Sequence, residues 1–225
     1  MSHRSTGIYR IFESAAVYER FQRLLGSEAA RRRFVRDFLR PSPGARILDV
    51  GCGTGAILDH LPADVDYVGY DLNPKYIEEA RRRHRGRGRF DCARVGEAPE
   101  PAPEIVETGF DLVLAAAILH HLDDPEAGRL MAGARRCLRP GGSLVTLDPV
   151  RHPGQSPVAR LLVALDRGRR VRTAAGYRGL AAACFPSVET VLLTDLMAIP
   201  YSHFLMRARR VESVTAPPPA RSADR

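Results

Sequence analysis

Residues 45 to 55 read Ala45-Arg46-Ile47-Leu48-Asp49-Val50-Gly51-Cys52-Gly53-Thr54-Gly55, an apolar run that breaks into alternating glycines. Aliphatic residues in unbroken series suit a strand covered on both faces, and the glycines supply the backbone freedom of a tight turn. A strand that enters such a turn and continues into a helix brings backbone close to a ligand and offers N–H groups at the helix start. Gly51, Gly53 and Ala56 satisfy the G-x-G-x-x-G/A dinucleotide pattern, with Asp71 about 20 residues beyond it for a ribose hydroxyl. Asp49 and Gly55 extend the pattern to D-x-G-x-G-x-G. That carboxylate suits a cationic ligand such as a sulfonium amino acid better than a pyrophosphate, which argues against a nicotinamide enzyme.

Working outward, apolar runs recur at 66–72 (DYVGYDL), 89–95 (RFDCARV), 110–118 (FDLVLAAAI) and 143–149 (SLVTLDP), separated by helical stretches. This alternation predicts a doubly wound α/β fold around a mostly parallel sheet. Residues 187–196 and 201–210 follow each other too closely for a helical crossover and are expected to pair antiparallel. Upstream, 9–25 and 28–39 have helical spacing, the second presenting Phe34, Val35, Phe38 and Leu39 before Pro41 and Pro43. The expected organisation is a single domain over 1–213. It comprises an N-terminal helical cap (1–40), a core (41–149), a cap segment (150–180) and a C-terminal hairpin (187–210). Residues 96–108 read as a surface loop and 214–225, with three successive prolines, as a disordered tail.

The 225 residues carry a formal charge of +8, nearly all of it arginine, since Lys75 is the one lysine. Together with the abundance of alanine, glycine and proline, this is the usage of a high-GC bacterial genome. The densest run, Arg81 to Arg89, is expected to decorate a helix end, where cations meet the negative end of the dipole. Nucleic acid is therefore not the expected partner. Cys52, Cys92, Cys137 and Cys184 are widely spaced, which argues against a zinc site or a disulfide framework, and no metal is expected. No run is long enough to span a bilayer and the first residues lack an export signal, so the expected location is cytoplasmic.

The sequence DVGCGTG (49–55), then VGYDLNP (68–74), FDLVLAAAILHHLDD (110–124) and LRPGGSLVTLD (138–148), resembles the successive motifs of class I S-adenosylmethionine-dependent methyltransferases, in particular small-molecule members of the type 11 and 12 kind. The resemblance covers 45–149 directly. It implies a Rossmann-like seven-stranded sheet with an antiparallel last strand, and S-adenosyl-L-methionine as cofactor with S-adenosyl-L-homocysteine as product. It further implies cofactor contacts from Asp49, Gly51, Cys52, Gly53, Asp71, Leu72, Asp91 and Ala115. Asp71 would accept the ribose hydroxyls. Asp91 is the candidate for adenine, although it follows Phe90 immediately, earlier than the family's acid after the third strand.

Ala115, Ala116 and Ala117 leave room for a ligand at the end of the fourth strand, where open α/β sheets bind ligands. His120 and His121 resemble the LHHL of small-molecule methyltransferases, where a histidine lines the acceptor pocket or takes a proton; packing or capping at a helix start is the alternative role. The Asn/Asp-Pro-Pro-aromatic motif of amino-group methyltransferases is absent. Tyr201 and His203, at the start of the last strand, are further candidates for the pocket. Arg167, Arg169, Arg170 and Arg172 could bind an anionic acceptor if they point inward, and Tyr9 and Tyr18 lie on helices that could form a lid. The expected activity is methyl transfer to an O, N or C atom of a small metabolite in a biosynthetic setting. An RNA or protein methyltransferase, betrayed by steep salt dependence, and a non-catalytic cofactor-binding scaffold are the alternatives.

Overall fold

In the computed structural model, residues 27–93, 108–164 and 170–211 are described. Seven strands form one sheet: β1 (Arg46–Val50), β2 (Asp66–Asp71), β3 (Arg89–Cys92), β4 (Phe110–Ala116), β5 (Leu138–Pro149), β6 (Val188–Leu193) and β7 (His203–Arg209). Their order is β3-β2-β1-β4-β5-β7-β6. Strands β3, β2, β1, β4 and β5 run parallel, whereas β7 enters between β5 and β6, antiparallel to both. The expected hairpin is present, and the sheet order reverses direction between β1 and β4, beside the glycine turn.

Alternation along each strand feeds two cores. On one face Leu48, Val113 and Leu144 pack with Ala127, Leu130 and Met131 of the helix Asp124–Cys137 and with Tyr177 and Ala181 of the helix Ala174–Ala182. On the other, Ile47, Leu112, Val145 and Leu205 pack with Phe34, Val35 and Leu39, and with Ile77 and Ala80 of the helix Pro74–Arg83. The helices are α1 (Ser27–Arg33), α2 (Pro74–Arg83), α3 (Asp124–Cys137), α4 (Pro157–Ala164) and α5 (Ala174–Ala182). Local chemistry sets their starts. Asn73 caps α2 ahead of Pro74, and Asp123 and Glu126 form a reciprocal capping box on α3. The side chain of Thr173 caps α5.

Several sequence expectations change. The stretch 28–39 is α-helical only through Arg33 and continues as a π-helical turn over Phe34–Leu39. The glycine turn leads into a five-residue 3₁₀ helix, Ala56–His60, rather than an α-helix. Pro62 stands too close behind for more, because a proline disfavours helical geometry in the residue before it. The fifth strand begins at Leu138, earlier than expected. The helix expected at 9–25, with Tyr9 and Tyr18, lies outside the described residues, as do the loop 96–108 almost entirely and the tail 214–225.

Much of the positive charge is committed internally. Arg81 meets Asp91, Arg82 meets Glu79, Arg83 meets Asp59 and Arg89 meets Asp66. The guanidinium of Arg87 donates to the carbonyls of Leu61 and Pro62. The four cysteines are free thiols. Among the described residues no helix is long and apolar enough to cross a membrane.

Candidate active site

The glycine turn folds back on the end of β2. The N–H groups of Gly51 and Cys52 both donate to the Tyr70 carbonyl, at 2.7 and 2.9 Å, and that of Gly55 donates to Cys52. The Gly53 N–H donates to Asp71 Oδ2 at 2.9 Å, while Asp71 Oδ1 accepts from the Asn73 N–H at 2.8 Å. The N–H groups of Gly51, Cys52, Gly53 and Gly55 are thus spent on the turn itself. What the turn presents instead is the partly exposed Asp71 carboxylate, whose two oxygens carry about four acceptor positions, half of them still open. Gly51 has φ +76, and a Cβ there would stand 2.9 Å from Ile118 Cδ1, so glycine is required to seat the turn against the loop after β4. Gly53, also at positive φ, has no atom of the described residues beyond its chain neighbours within 4 Å of where its Cβ would be. Just past the end of β2, Leu72 is an apolar side chain left 54% exposed.

Asp49 sits one layer below, with a relative exposure of 4%. Tyr67 Oη donates to its Oδ2 at 2.6 Å. Burial, opposed by this hydrogen bond and reinforced by the nearby Asp71 charge, pushes its carboxyl up to about 7. Burial also raises the Cys52 thiol, which is half-buried below the turn. An acid whose folded value exceeds its unfolded one binds more protons when folded, so its contribution to stability is lost as pH rises between the two values. Removing this acid by Asp49→Asn is therefore expected to flatten the stability profile between about pH 4 and 7, recovering on the order of 4 kcal/mol at the upper end. Urea denaturation of both proteins across that range measures the difference, and identical profiles would show that Asp49 does not titrate there.

Beyond β4 the chain makes a tight left-handed step at Ala117, φ +57, whose N–H donates to the Leu147 carbonyl at 2.7 Å. A left-handed alanine is strained, and such strain concentrates at functional sites. The step launches the 3₁₀ turn Leu119–His121 and carries His120 onto the end of β5. There His120 Nδ1 lies 2.8 Å from Asp148 Oδ1, which also accepts the His120 backbone N–H at 3.2 Å. Both side chains are buried, and Asp148 Oδ2 has no hydrogen-bond partner among the described residues. A carboxylate against Nδ1 favours the tautomer with the proton on that nitrogen. His121 is exposed, its ring 4.1 Å from that of His120. Ala115 is fully buried in β4, immediately before this loop.

Asp148, which completes the pair with His120, was not among the residues singled out from the sequence. Its only signal was a charged residue at the end of an apolar strand. The remaining candidates separate. Tyr201 and His203 form an edge-to-face ring pair 5.1 Å apart, but the register opposes His203 to Pro149 and Phe204 to Asp148, so alternation places His203 and Asp148 on opposite faces of the sheet. Asp91 lies within β3, exposed and ion-paired at 2.8 Å with Arg81. Arg172 is structural rather than a free anion site: its guanidinium pairs with Asp124 and donates to the carbonyls of Leu119 and Leu122, 2.7 and 2.9 Å away. Its reach across the loop explains why it is committed. The Arg170 side chain is exposed and its backbone N–H donates to the His120 carbonyl; Arg167 and Arg169 lie outside the described residues.

Residues 48–144 match a family described as a methyltransferase domain. An O-methyltransferase of Pyrenophora dematioidea is 30% identical over 160 residues, 63% of this chain and 57% of the relative. A ubiquinone biosynthesis O-methyltransferase of Cereibacter sphaeroides is 31% identical over 132 residues, 56% of this chain and 51% of the relative. The chain spans about half the length of the curated relatives it matches. Among solved structures, phosphoethanolamine N-methyltransferase 2 of Haemonchus contortus, in complex with S-adenosyl-L-methionine, superposes with a TM-score of 0.69 at 15% identity, covering 90% of this chain and 59% of that one. In its sheet order, its glycine turn closed by Asp71 and its match over 48–144, the chain is similar to the S-adenosylmethionine-dependent methyltransferases.

Proposed function

We propose that the protein transfers a methyl group from S-adenosyl-L-methionine to an O, N or C atom of a small-molecule acceptor, with His120 taking the acceptor's proton where one must leave. The observation that carries the reading is the convergence of the Asp71-closed glycine turn and the His120–Asp148 pair at the same end of the parallel strands. The residues fit the cofactor. Asp71 retains acceptor positions for a ribose diol, Leu72 offers an exposed apolar face beside it, and Gly53 leaves backbone open to close approach. When bound, the sulfonium supplies an activated methyl group.

The chain's own work is then to orient the acceptor in line and to remove a proton as needed. Asp148 holds the His120 ring and stabilises the imidazolium that forms on proton uptake. The internal pairing of the arginine run favours a small acceptor over an acidic macromolecule. Calorimetry with S-adenosylhomocysteine is expected to show binding in the micromolar range, followed by labelled-methyl transfer when metabolite extracts are supplied. Absence of binding, or tight binding of NADH in its place, would overturn the assignment.

A further inference from the structure

A cavity of about 420 Å³ opens just past β5, lined by Arg151, His152, Pro153, Arg160, Val163 and Thr173 among others. Its location ties it to the His120–Asp148 pair. Arg151 follows Asp148 by three residues, a span of at most about 10 Å of extended chain. The Arg151 N–H donates to the Arg172 carbonyl at 3.1 Å, Arg151 bridges to Thr173, and the Arg172 guanidinium holds the loop that carries His120. Cavity and histidine are thus walls of one framework.

The polar groups of this cavity sort themselves. His152 is occupied on both nitrogens, with Nδ1 2.7 Å from the Pro153 carbonyl and Nε2 3.0 Å from Ser202 Oγ. The buried Gln155 side chain donates to the Val150 carbonyl and fixes the turn. Arg151 and Arg160 are different. Both are exposed, and among the described residues no acidic residue lines the cavity with them and neither guanidinium has a hydrogen bond or ion pair. Between them the wall is apolar, formed by Pro153, Val163 and Ala164. A hydrated inorganic ion gains nothing from such a wall, whereas an apolar body ending in an anion satisfies both parts.

We infer that this cavity is the subsite for an anionic group of the methyl acceptor, and that Arg151 and Arg160 select acceptors carrying a carboxylate or phosphate on an apolar body. The subsite's role in methyl transfer rests on the function proposed above; its binding of anions does not. The test is calorimetric titration of the full chain, with and without saturating S-adenosylhomocysteine, using 3-phenylpropionate, phenyl phosphate and 3-phenylpropionamide. At least one anion is expected to bind about tenfold or more tightly than the neutral amide, since charge-assisted guanidinium bonds are lost in the amide. The tighter of the two identifies carboxylate or phosphate as the natural group. The double variant R151Q/R160Q is expected to bind the anions no better than the amide, with its melting temperature and S-adenosylhomocysteine affinity unchanged.

Anions that bind no tighter than the amide to the unaltered protein, no binding by any of the three probes, or full anion affinity in the double variant would each overturn the inference. If the anions bind but S-adenosylhomocysteine does not, the subsite stands as an anion site and the methyl-transfer reading falls. If S-adenosylhomocysteine binds and the anions fail, only the subsite is lost.

Discussion

His120→Ala is expected to lower kcat for methyl transfer by roughly 10²- to 10⁴-fold, the range for losing a positioned proton acceptor, while leaving the affinity for S-adenosylhomocysteine unchanged. The split follows from geometry. His120 is held by Asp148 at the end of β5, whereas Asp71 and the glycine turn sit at the end of β2, two strands removed across β1 and β4. The substitution also strips Asp148 Oδ1 of its imidazole partner in a buried setting where Oδ2 already has none among the described residues, at a cost of about 1 to 3 kcal/mol in stability. His120→Gln guards against confusing that loss with a chemical one, because its amide can donate to Asp148 but is not basic. Single-turnover assays with a hydroxyl or carbon acceptor read out both variants. If the glutamine variant transfers methyl groups at the unaltered rate, His120 only packs the loop. Asp148→Asn tests the positioning role: kcat should fall while KM for the acceptor stays, because the amide no longer stabilises the charged ring.

For Asp71→Ala the expected change lies in binding: the Kd for S-adenosylhomocysteine rises about 10- to 100-fold, equivalent to roughly 1.5 to 3 kcal/mol of charge-assisted hydrogen bonding. Two effects combine. The carboxylate proposed to take the ribose hydroxyls disappears, and the N–H groups of Gly53 and Asn73 lose their acceptor, which loosens the turn against β2. Asp71→Asn separates them, since its one carbonyl oxygen can retain part of the backbone bonding without the charge, so it should fall between the other two proteins. Calorimetry on all three gives the order, and an alanine variant with undiminished affinity would remove Asp71 from the cofactor site.

The fold was readable because a parallel sheet buries both faces of its strands, so β1, β2, β4 and β5 surface in the sequence as unbroken apolar runs. The short link between β6 and β7 excluded a crossover and gave the antiparallel strand. The glycine turn and Asp71 were legible for a related reason: a turn that presses against Ile118 and leaves Gly53 open must be written in glycine. Features that depend on partners far along the chain were not legible. Asp148 gains its meaning from a histidine 28 residues earlier. Arg172 looked like a free cation until Asp124, 48 residues away, was found beside it. Composition records charge without recording what neutralises it. The 3₁₀ helix at Ala56–His60 is intermediate, since Pro62 was visible and its effect on so short a segment could have been weighed.

The place of β7 in the sheet has a consequence for how the chain is made. It is the last of the described strands in sequence yet lies between β5 and β6, so among the described residues β6 has no sheet neighbour except a strand synthesised after it. Until residue 209 has left the ribosome, the long apolar edge of β5 stays unpaired and β6 stays unmoored. Such an open edge is a template for pairing with other chains. The nascent protein is therefore most exposed to aggregation after β5 and β6 have emerged and before β7 has, and slowing of elongation in that interval should lower its soluble yield.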